Sequence, residues 1–105
     1  MSHPRVGVVG AGRVGAVLAA RLQRAGHQIV GVSGRSPASQ LRIQTLVPGA
    51  PVLDPAEVVR RAEIVVLAVP DDALAGVARE LADHVRPGQV VAHTSGRHGL
   101  SVLAP

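Results

Sequence analysis

The sequence predicts an α/β protein with three layers, α/β/α, around a doubly wound parallel sheet of strand order 3-2-1-4-5. Two observations predict this fold. Short apolar runs alternate with segments of helical spacing over the whole of the 105 residues, and that alternation implies right-handed crossovers between parallel strands. The most apolar run, Ile64 to Val69, is typical of a central strand that is buried on both faces.

The first two predicted elements flank a glycine-rich turn. A strand rich in valine covers about Arg5 to Val9, and a helix follows from about Arg13 to Ala25. Gly26 takes the C′ position that ends this helix. The apolar residues of the helix recur at i, i+3, i+4 and i+8 and form one stripe: Val14, Val17, Leu18 and Leu22.

Proline and capping residues predict the starts of the next two helices. The second strand, Gln28 to Val32, precedes a helix from Pro37 to about Val47, for which Ser36 is the predicted N-cap. A short third strand, Val52-Leu53, leads into Asp54-Pro55-Ala56-Glu57, which has the spacing of a capping box. Both helices therefore begin with proline at the first helical position.

The last predicted elements follow the central strand. Asp71 or Asp72 caps a fourth helix, and a fifth strand runs from Gln89 to Ala92. The apolar stripe of the fourth helix is Leu74, Val77, Ala78 and Leu81. Because the fifth strand would be the edge of the sheet, with unpaired backbone groups, we expect a second copy or further sequence to cover it.

The glycine-rich turn predicts a site for a pyrophosphate. It reads Gly10-x-Gly12-x-x-Gly15 between a predicted strand and a predicted helix. In this Rossmann-type pattern the first glycine makes the turn, the second lets the backbone approach the phosphates, and the third allows close helix–sheet packing. The helix N-terminus adds amide donors and partial positive charge. The predicted cofactor contacts of this loop are Gly10, Ala11, Gly12, Arg13, Val14 and Gly15, with Arg13 either leaning on a phosphate or solvated.

The end of the second strand predicts NADP rather than NAD. An NAD site usually offers an acid to the ribose 2′-hydroxyl at this point, but the chain reads Ser33-Gly34-Arg35-Ser36. A guanidinium and hydroxyl groups suit the 2′-phosphate of NADP, which a carboxylate would repel. The alternative is that Ser36 only starts a helix, and both interpretations can hold together. A flavin site is disfavoured because it also requires an acid here.

Two further segments are predicted at the same edge of the sheet. Val69 and Pro70 should pass beneath the ribose and nicotinamide, and Asp71 either joins this contact or only caps a helix. In the block His93-Thr94-Ser95-Gly96, Thr94 and Ser95 carry donors for the nicotinamide amide or a substrate carboxylate. The alternative is a polar strand end in which Gly96 takes a positive φ. No catalytic residue is assigned, and the candidates are His93, for proton delivery, and Ser95.

The composition excludes several other kinds of site. All eleven basic residues are Arg, and Cys is absent, which excludes a P-loop lysine, a Schiff base, a disulfide and a thiolate within this chain. The histidines lack acidic partners at ligand spacing, so we expect no metal site. The chain has no aromatic residue, and its charged residues, with a net charge of +4, are scattered along the sequence. Both features argue against nucleic-acid binding. No apolar run approaches a membrane span and no export segment precedes the first strand, so we expect a cytoplasmic protein.

Four blocks together resemble the N-terminal domain of bacterial Rossmann-like oxidoreductases that carry a C-terminal domain of unknown function. The blocks are Val6 to Gly15, Gly34 to Ser36, Leu67 to Asp72 and His93 to Gly96. The wider superfamily to which the chain is similar includes 6-phosphogluconate dehydrogenase, pyrroline-5-carboxylate reductase and ketopantoate reductase. The resemblance implies cofactor contacts in these blocks and a small substrate that bears a carboxylate.

The resemblance also implies a domain organisation. The 105 residues form one dinucleotide-binding domain, and the related proteins continue into a helical domain with a catalytic Lys or Glu and dimer contacts. Because the chain stops at Pro105 before any further strand, we expect that domain, or a homo-oligomer, to complete the site. The expected function is hydride transfer with NADP(H). The alternative is a dinucleotide-responsive binding or regulatory module without turnover.

Overall fold

The computed structural model describes residues 4–10, 12–34, 36–95 and 99–103 of the chain. Strands and helices alternate through most of this part, as predicted. They are β1 (Arg5–Val9), α1 (Arg13–Arg24), β2 (Gln28–Ser33), α2 (Pro37–Leu46), α3 (Pro55–Arg61), β3 (Ile64–Leu67), α4 (Asp71–Leu81), a 3₁₀ turn (Ala82–His84), β4 (Val90–Ser95) and β5 (Gly99–Leu103). Within these residues no helix combines the length and the hydropathy that a membrane span requires.

One sheet, in the order β2-β1-β3-β4-β5, forms the middle layer. β1 pairs in parallel with β2 and with β3, and β3 pairs in parallel with β4. These four strands are the predicted strands 2, 1, 4 and 5, in the predicted order. Helices cover both faces, which confirms the doubly wound α/β/α fold.

The predicted third strand, Val52-Leu53, is reduced to a single parallel bridge between Val52 and Val32. Val32 donates to the Pro51 carbonyl and accepts from the Leu53 amide, both at 3.0 Å. Proline at position 51 has no amide to donate, and α3 begins at Pro55, so the extended segment is too short to add ladder bonds. The segment still lies beside β2, where the order 3-2-1-4-5 puts it.

An additional strand, β5, corrects the prediction that the chain ends without one. β5 runs antiparallel to β4, in register from Val91 with Leu103 to Ser95 with Gly99. The predicted fifth strand is therefore not an edge, because the chain covers it with its own residues. The predicted strand ended at Ala92, so the prediction did not include the pairing of its continuation with β5.

Two apolar clusters hold the helices against the sheet. One cluster joins α1 and α2 to the sheet, and its residues include Val6, Val8, Val32, Ile43 and Val66. The other joins α3 and α4 to the opposite face, and its residues include Val9, Val58, Val59, Val65 and Leu67. Neighbouring residues of a strand thus serve opposite layers, as the two-residue period of a strand requires.

Helix α1 contacts the sheet through small residues, which corrects the predicted apolar stripe. Its buried residues are Gly15, Ala16, Ala19 and Ala20. Val14 and Val17 are 65% and 42% exposed, and only Leu18 and Leu22 of the predicted stripe pack against the core. At Gly15 the helix lies so close to the glycine turn and the sheet that a Cβ would clash, so small residues face the sheet in the first turns of α1 while Val14 and Val17 turn outward.

The ends of α1 and α2 form as predicted. The Ser36 hydroxyl accepts the Ser39 amide hydrogen at 3.1 Å, which makes Ser36 the N-cap of α2. Gly26 follows α1 with a φ of 102°, a conformation that favours glycine. These short-range signals act within one turn of the chain, so they are independent of the rest of the fold.

Asp54 is the N-cap residue of α3 and precedes Pro55 as predicted, but the predicted capping box does not form, and the predicted caps of α4 are wrong. Asp54 makes no side-chain capping bond, and Glu57 binds arginines in the last turn of α3 instead of closing a capping box. Pro70 is the N-cap of α4, so neither Asp71 nor Asp72 caps that helix. The helix begins one residue earlier than a capping aspartate would allow, directly after the proline.

Candidate functional site

The last residues of β1, β2 and β3 lie in one row across the sheet with His93 of β4. Val9 pairs with Ser33 on one side and with Leu67 on the other, and Leu67 pairs with His93. The chain leaves β1, β2 and β3 at or just past this row. Loops that are distant in sequence therefore meet at one edge, where ligands of doubly wound sheets bind.

Gly10 and Gly15 are required by the protein's own packing. Gly10 has a φ of +99°, and a Cβ there would lie 2.6 Å from the Ala68 carbonyl oxygen. A Cβ at Gly15 would overlap the Gly10 carbonyl oxygen. These two glycines make the turn and bring α1 close to the sheet, as their predicted roles require.

Gly12 differs from these two glycines, because the described protein gives no reason for it. Its φ of −69° suits any residue, and a Cβ there would have no heavy atom within 4 Å. Gly12 is the N-cap of α1, it supplies no capping side chain, and the first turn holds no acidic residue. The backbone at the positive end of the helix thus faces open space, which is the arrangement that an anion needs.

Ser33 connects the end of β2 to the glycine turn. Its Oγ accepts a hydrogen bond from the Gly10 amide at 3.0 Å, and the residue is only 5% exposed. The sequence analysis assigned this hydroxyl to the cofactor alone and missed its role within the protein. The contact follows from the register that pairs Val9 with Ser33 in adjacent parallel strands, and this register becomes visible only in the structure.

The start of α2 holds a group of hydroxyls at the same edge. The Ser36 and Ser39 hydroxyl oxygens are 3.0 Å apart and hydrogen bonded, and the Gln40 side-chain amide donates to the Gly34 carbonyl at 3.4 Å. The first turn of α2 contains no acidic residue. Arg35, together with Ala11 and Gly96, lies outside the described residues.

A cavity of about 270 Å³ joins these segments. Gly10, Ser33, Gly34 and Ser39 form its polar side. Its apolar side consists of Val9, Pro55, Val69, Pro70, Ala73 and Val77, with Glu80 at one end. The structure therefore brings five predicted contacts into one cavity: Gly10, Ser33, Gly34, Val69 and Pro70. It adds Ser39, Ala73 and Val77, which were not among the predicted contacts, whereas Gly12 to Gly15 and Ser36 do not line it.

The block His93 to Gly96 is placed differently from the prediction. β4 continues to Ser95 and pairs with β5 there, so His93, Thr94 and Ser95 belong to a strand and not to a loop after it. His93 is 7% exposed, and its register beside Leu67 puts it on the side of the sheet that α3 and α4 cover. For Asp71, Thr94 and Ser95 the description covers the backbone only.

Potential metal ligands are not clustered in the part of the chain that the structure describes. There, no group of three or more His, Asp or Glu residues is arranged to hold a metal ion. The groups that line the cavity at this edge are backbone amides, hydroxyls, an apolar wall and the carboxylate of Glu80.

Comparison with known proteins identifies one family. The Rossmann-like domain family matches residues 1–105. A comparison with curated protein sequences gives no match.

Solved structures of similar fold are larger proteins. An imine reductase from Myxococcus stipitatus, V8 variant, in complex with NAD+ is 26% identical, with a TM-score of 0.73 over 89% of this chain and 32% of that chain. A Bacteroides fragilis protein assigned as an NADP oxidoreductase is 28% identical, with a TM-score of 0.74 over 89% of this chain and 36% of that one. A 3-hydroxyisobutyrate dehydrogenase from Mycobacterium tuberculosis, at 22% identity, shares the fold with a TM-score of 0.77 over 90% of this chain and 32% of that one. The chain spans about a third of the length of these structures.

Proposed function

The chain belongs to the Rossmann-like domain family, and we propose that it is the NADP(H)-binding domain of an oxidoreductase. The reaction is hydride transfer between the nicotinamide and a small substrate that bears a carboxylate. When bound, the cofactor supplies the hydride chemistry, and the protein holds and orients it. The similarity to an imine reductase with NAD+ and to a protein assigned as an NADP oxidoreductase supports a nicotinamide dinucleotide.

The open backbone at Gly12 is the observation that carries the proposal. Gly12 combines an unstrained φ and free space around its missing Cβ with a place at the N-cap of α1, where backbone amides lack helical partners, and a ligand that approaches the backbone there accounts for this combination. The N-terminus of α1 offers amide donors and partial positive charge to that ligand. A pyrophosphate placed over Gly12 meets both conditions.

The adenosine half of the cofactor fits the cavity beside the glycine turn. The apolar side chains of Val69, Ala73 and Val77 offer an apolar surface to a purine, and Pro70 ends the loop between β3 and α4 that would pass the ribose. Ser33 and Gly34 lie across the cavity at the end of β2, where the ribose hydroxyls would come. This cavity supports binding of the adenosine, while the nicotinamide extends toward β4.

Preference for NADP(H) over NAD(H) rests on charge at the end of β2. Positions 33–36 contain Ser33, Arg35 and Ser36 and no acid, and the first turn of α2 contains none either. A 2′-phosphate gains from the Arg35 guanidinium and the positive end of α2. A ribose hydroxyl, as in NAD(H), would miss the carboxylate that usually accepts from it.

The remaining parts of the proposed enzyme lie outside this chain. Since the chain spans about a third of the structures that it resembles, we propose that a further domain, helical by resemblance, or a second copy completes the substrate site. His93 is buried within β4 and is not exposed at the site edge. Cytoplasmic location is part of the same proposal.

Calorimetry with NADPH and NADH tests this function. We expect the wild-type chain to bind both and to favour NADPH, and we expect Gly12→Val to bind neither, because the added side chain occupies the pyrophosphate position. Gly76→Val is the matched control, since a Cβ at Gly76 in α4 also has no heavy atom within 4 Å. Normal NADPH binding by Gly12→Val, or no binding of either cofactor by the wild type, would contradict the proposal.

A further inference from the structure

A second cavity, of about 660 Å³, opens at the end of the sheet opposite to the glycine turn. Arg5 and Gln28, the first residues of β1 and β2, lie in its wall, and so do residues at the ends of α1 and α3. The five residues of β1 separate it from Gly10 by about 16 Å. We refer to it as the amino-edge cavity.

The amino-edge cavity is lined by basic residues. Its wall contains four arginines and, among the described residues, no Asp or Glu: Arg5, Arg60, Arg61 and Arg86. Two carboxylates lie next to it. Glu57 accepts hydrogen bonds from Arg60 at 3.0 Å and Arg61 at 2.8 Å. Glu63 accepts from Arg5 at 3.3 Å, so three of the four guanidinium groups share two carboxylates.

The adjacent helix ends do not cancel this excess of positive charge. The C-terminal ends of α1 and α3 each carry roughly half a negative charge. The last turn of α1 contains Arg21 and Arg24, and that of α3 contains Arg60 and Arg61. The C-terminal end of α2 also lies here, because Pro48 and Gly49 are in the cavity wall, and its last turn contains no basic residue. The arginines still outweigh the three helix ends, so the net charge around the cavity remains positive.

Several guanidinium N–H groups around the cavity make no hydrogen bond to the residues that the structure describes. Arg5 and Arg61 bind their carboxylates through Nε, and their terminal nitrogens make no hydrogen bond among the described contacts. Arg86 gives one Nη2 hydrogen bond, to the Ala62 carbonyl at 3.1 Å, and has no carboxylate partner there. Such planar donors match the paired oxygens of carboxylates and phosphates.

We propose that the amino-edge cavity binds a small anion with two or more negative charges. The volume is that of a small-molecule site and exceeds what a single inorganic ion needs. The donors suit either a polycarboxylate or a phosphate ester, since both present clustered oxyanions. Binding here is separate from cofactor binding, because the two sites lie at opposite ends of the parallel strands.

Titration of the ¹⁵N-labelled chain with citrate, and separately with inorganic pyrophosphate, tests this site at low ionic strength. We expect saturable shifts of the Gln28 and Gly49 amides, two residues of the cavity wall. A response to citrate alone identifies a polycarboxylate site, and a response to pyrophosphate alone identifies a phosphate site. Shifts confined to Gly10 and Gly12, or no saturable shift, would overturn the proposal.

Two variants assign the binding to the arginines without loss of the fold. Arg86→Gln leaves the Ala62 carbonyl paired, because Gln89 also donates to it at 2.7 Å. Arg5→Gln leaves Glu63 bound to the Arg5 backbone amide at 2.9 Å. We expect each variant to weaken the anion about two- to fivefold, the effect of one exposed ion pair.

Arg79→Gln is the matched control, since Arg79 is an exposed arginine of α4 that is not part of the cavity wall. We expect it to bind the anion as the wild type does. If Arg79→Gln weakens binding as much as Arg86→Gln and Arg5→Gln, the anion responds to net charge alone. If neither cavity variant weakens binding, the arginines do not bind the anion. Either result would reject the proposed site.

Discussion

The hydroxyl oxygen of Ser33 accepts a hydrogen bond from the Gly10 amide at 3.0 Å. This bond ties the last residue of β2 to the first residue after β1, and it is partly buried, with Ser33 itself only 5% exposed. The glycine turn therefore needs an acceptor at position 33 whether or not a ligand is bound. Serine supplies the acceptor without the negative charge that an acid would bring to the site.

Substitution of Ser33 should separate the structural role of this position from its effect on the cofactor. Ser33→Ala leaves the Gly10 amide without its partner, so we expect a loss of about 1 to 2 kcal/mol in the free energy of unfolding and weaker binding of NADPH and NADH by the same factor. Ser33→Asp retains an acceptor and adds charge, so we expect the preference to move toward NADH. Calorimetry on both variants measures the ratio. A changed ratio in Ser33→Ala would mean that the hydroxyl itself selects the cofactor.

The guanidinium of Arg35 is predicted to bind the 2′-phosphate. We expect Arg35→Gln to weaken NADPH by about 1.5 to 3 kcal/mol, the usual range for hydrogen bonds to charged groups, and to leave NADH unchanged. Arg13→Gln is the control, because any contact from the glycine loop reaches phosphates that both cofactors share. Parallel losses of NADPH and NADH in Arg35→Gln would show that Arg35 does not distinguish the cofactors.

Gln89 should be a stability residue. Its side-chain amide donates to the Val59 carbonyl at 2.6 Å and to the Ala62 carbonyl at 2.7 Å, and its Oε1 accepts the Arg86 amide at 2.7 Å. Removal of these buried bonds in Gln89→Ala should cost about 2 to 3 kcal/mol in urea unfolding, because the Val59 carbonyl loses a buried donor. Gln40→Ala, which removes one exposed bond of 3.4 Å, should cost less than about 0.5 kcal/mol. Equal costs for the two variants would contradict the assigned role.

Acid should destabilise the fold through the two arginine-bound carboxylates. The hydrogen bonds from Arg61 and Arg60 lower the pKa of Glu57 from 4.5, and the Arg5 backbone amide lowers that of Glu63. Because the folded-state pKa values are depressed, this stability is present above the unfolded value and is lost as the pH falls through the lowered one. As the pH is lowered, we expect the Tm of the double variant Glu57→Gln/Glu63→Gln to fall less steeply than that of the wild type. Glu80→Gln is the control, and an acid limb unchanged in the double variant would refute the assignment.

The fold class followed from the sequence because its signals are local. Alternating apolar runs and helical segments indicated a doubly wound parallel sheet, whose usual connections imply the strand order. Residues such as Ser36 and Gly26 indicated helix ends within one turn of the chain. The face of α1 could not be predicted in the same way. Val14 and Val17 have helical spacing, but the distance between helix and sheet, set by Gly15 and its contact with Gly10, decides which residues fit.

The candidate site could be predicted at the glycine turn, because the motif there contains the backbone groups that would bind a pyrophosphate. The bond between Ser33 and Gly10 depends on the register of two strands, which the sequence does not state. The strand pairing that places His93 and Ser95 inside β4 depends on residues 99–103, whose role becomes visible only when β5 is seen beside β4. Long-range pairing is therefore what the sequence analysis lacked at both places.

Titration of the ¹⁵N-labelled chain with NADPH tests the central claim most directly, because it locates the cofactor on the protein. We expect the largest saturable shifts at the amides of Gly10 and Gly12, with shifts at Ser33 and Ala73 from the adenosine cavity. Saturable shifts that leave Gly10 and Gly12 unmoved would contradict it, since the pyrophosphate would then lie somewhere other than the glycine turn.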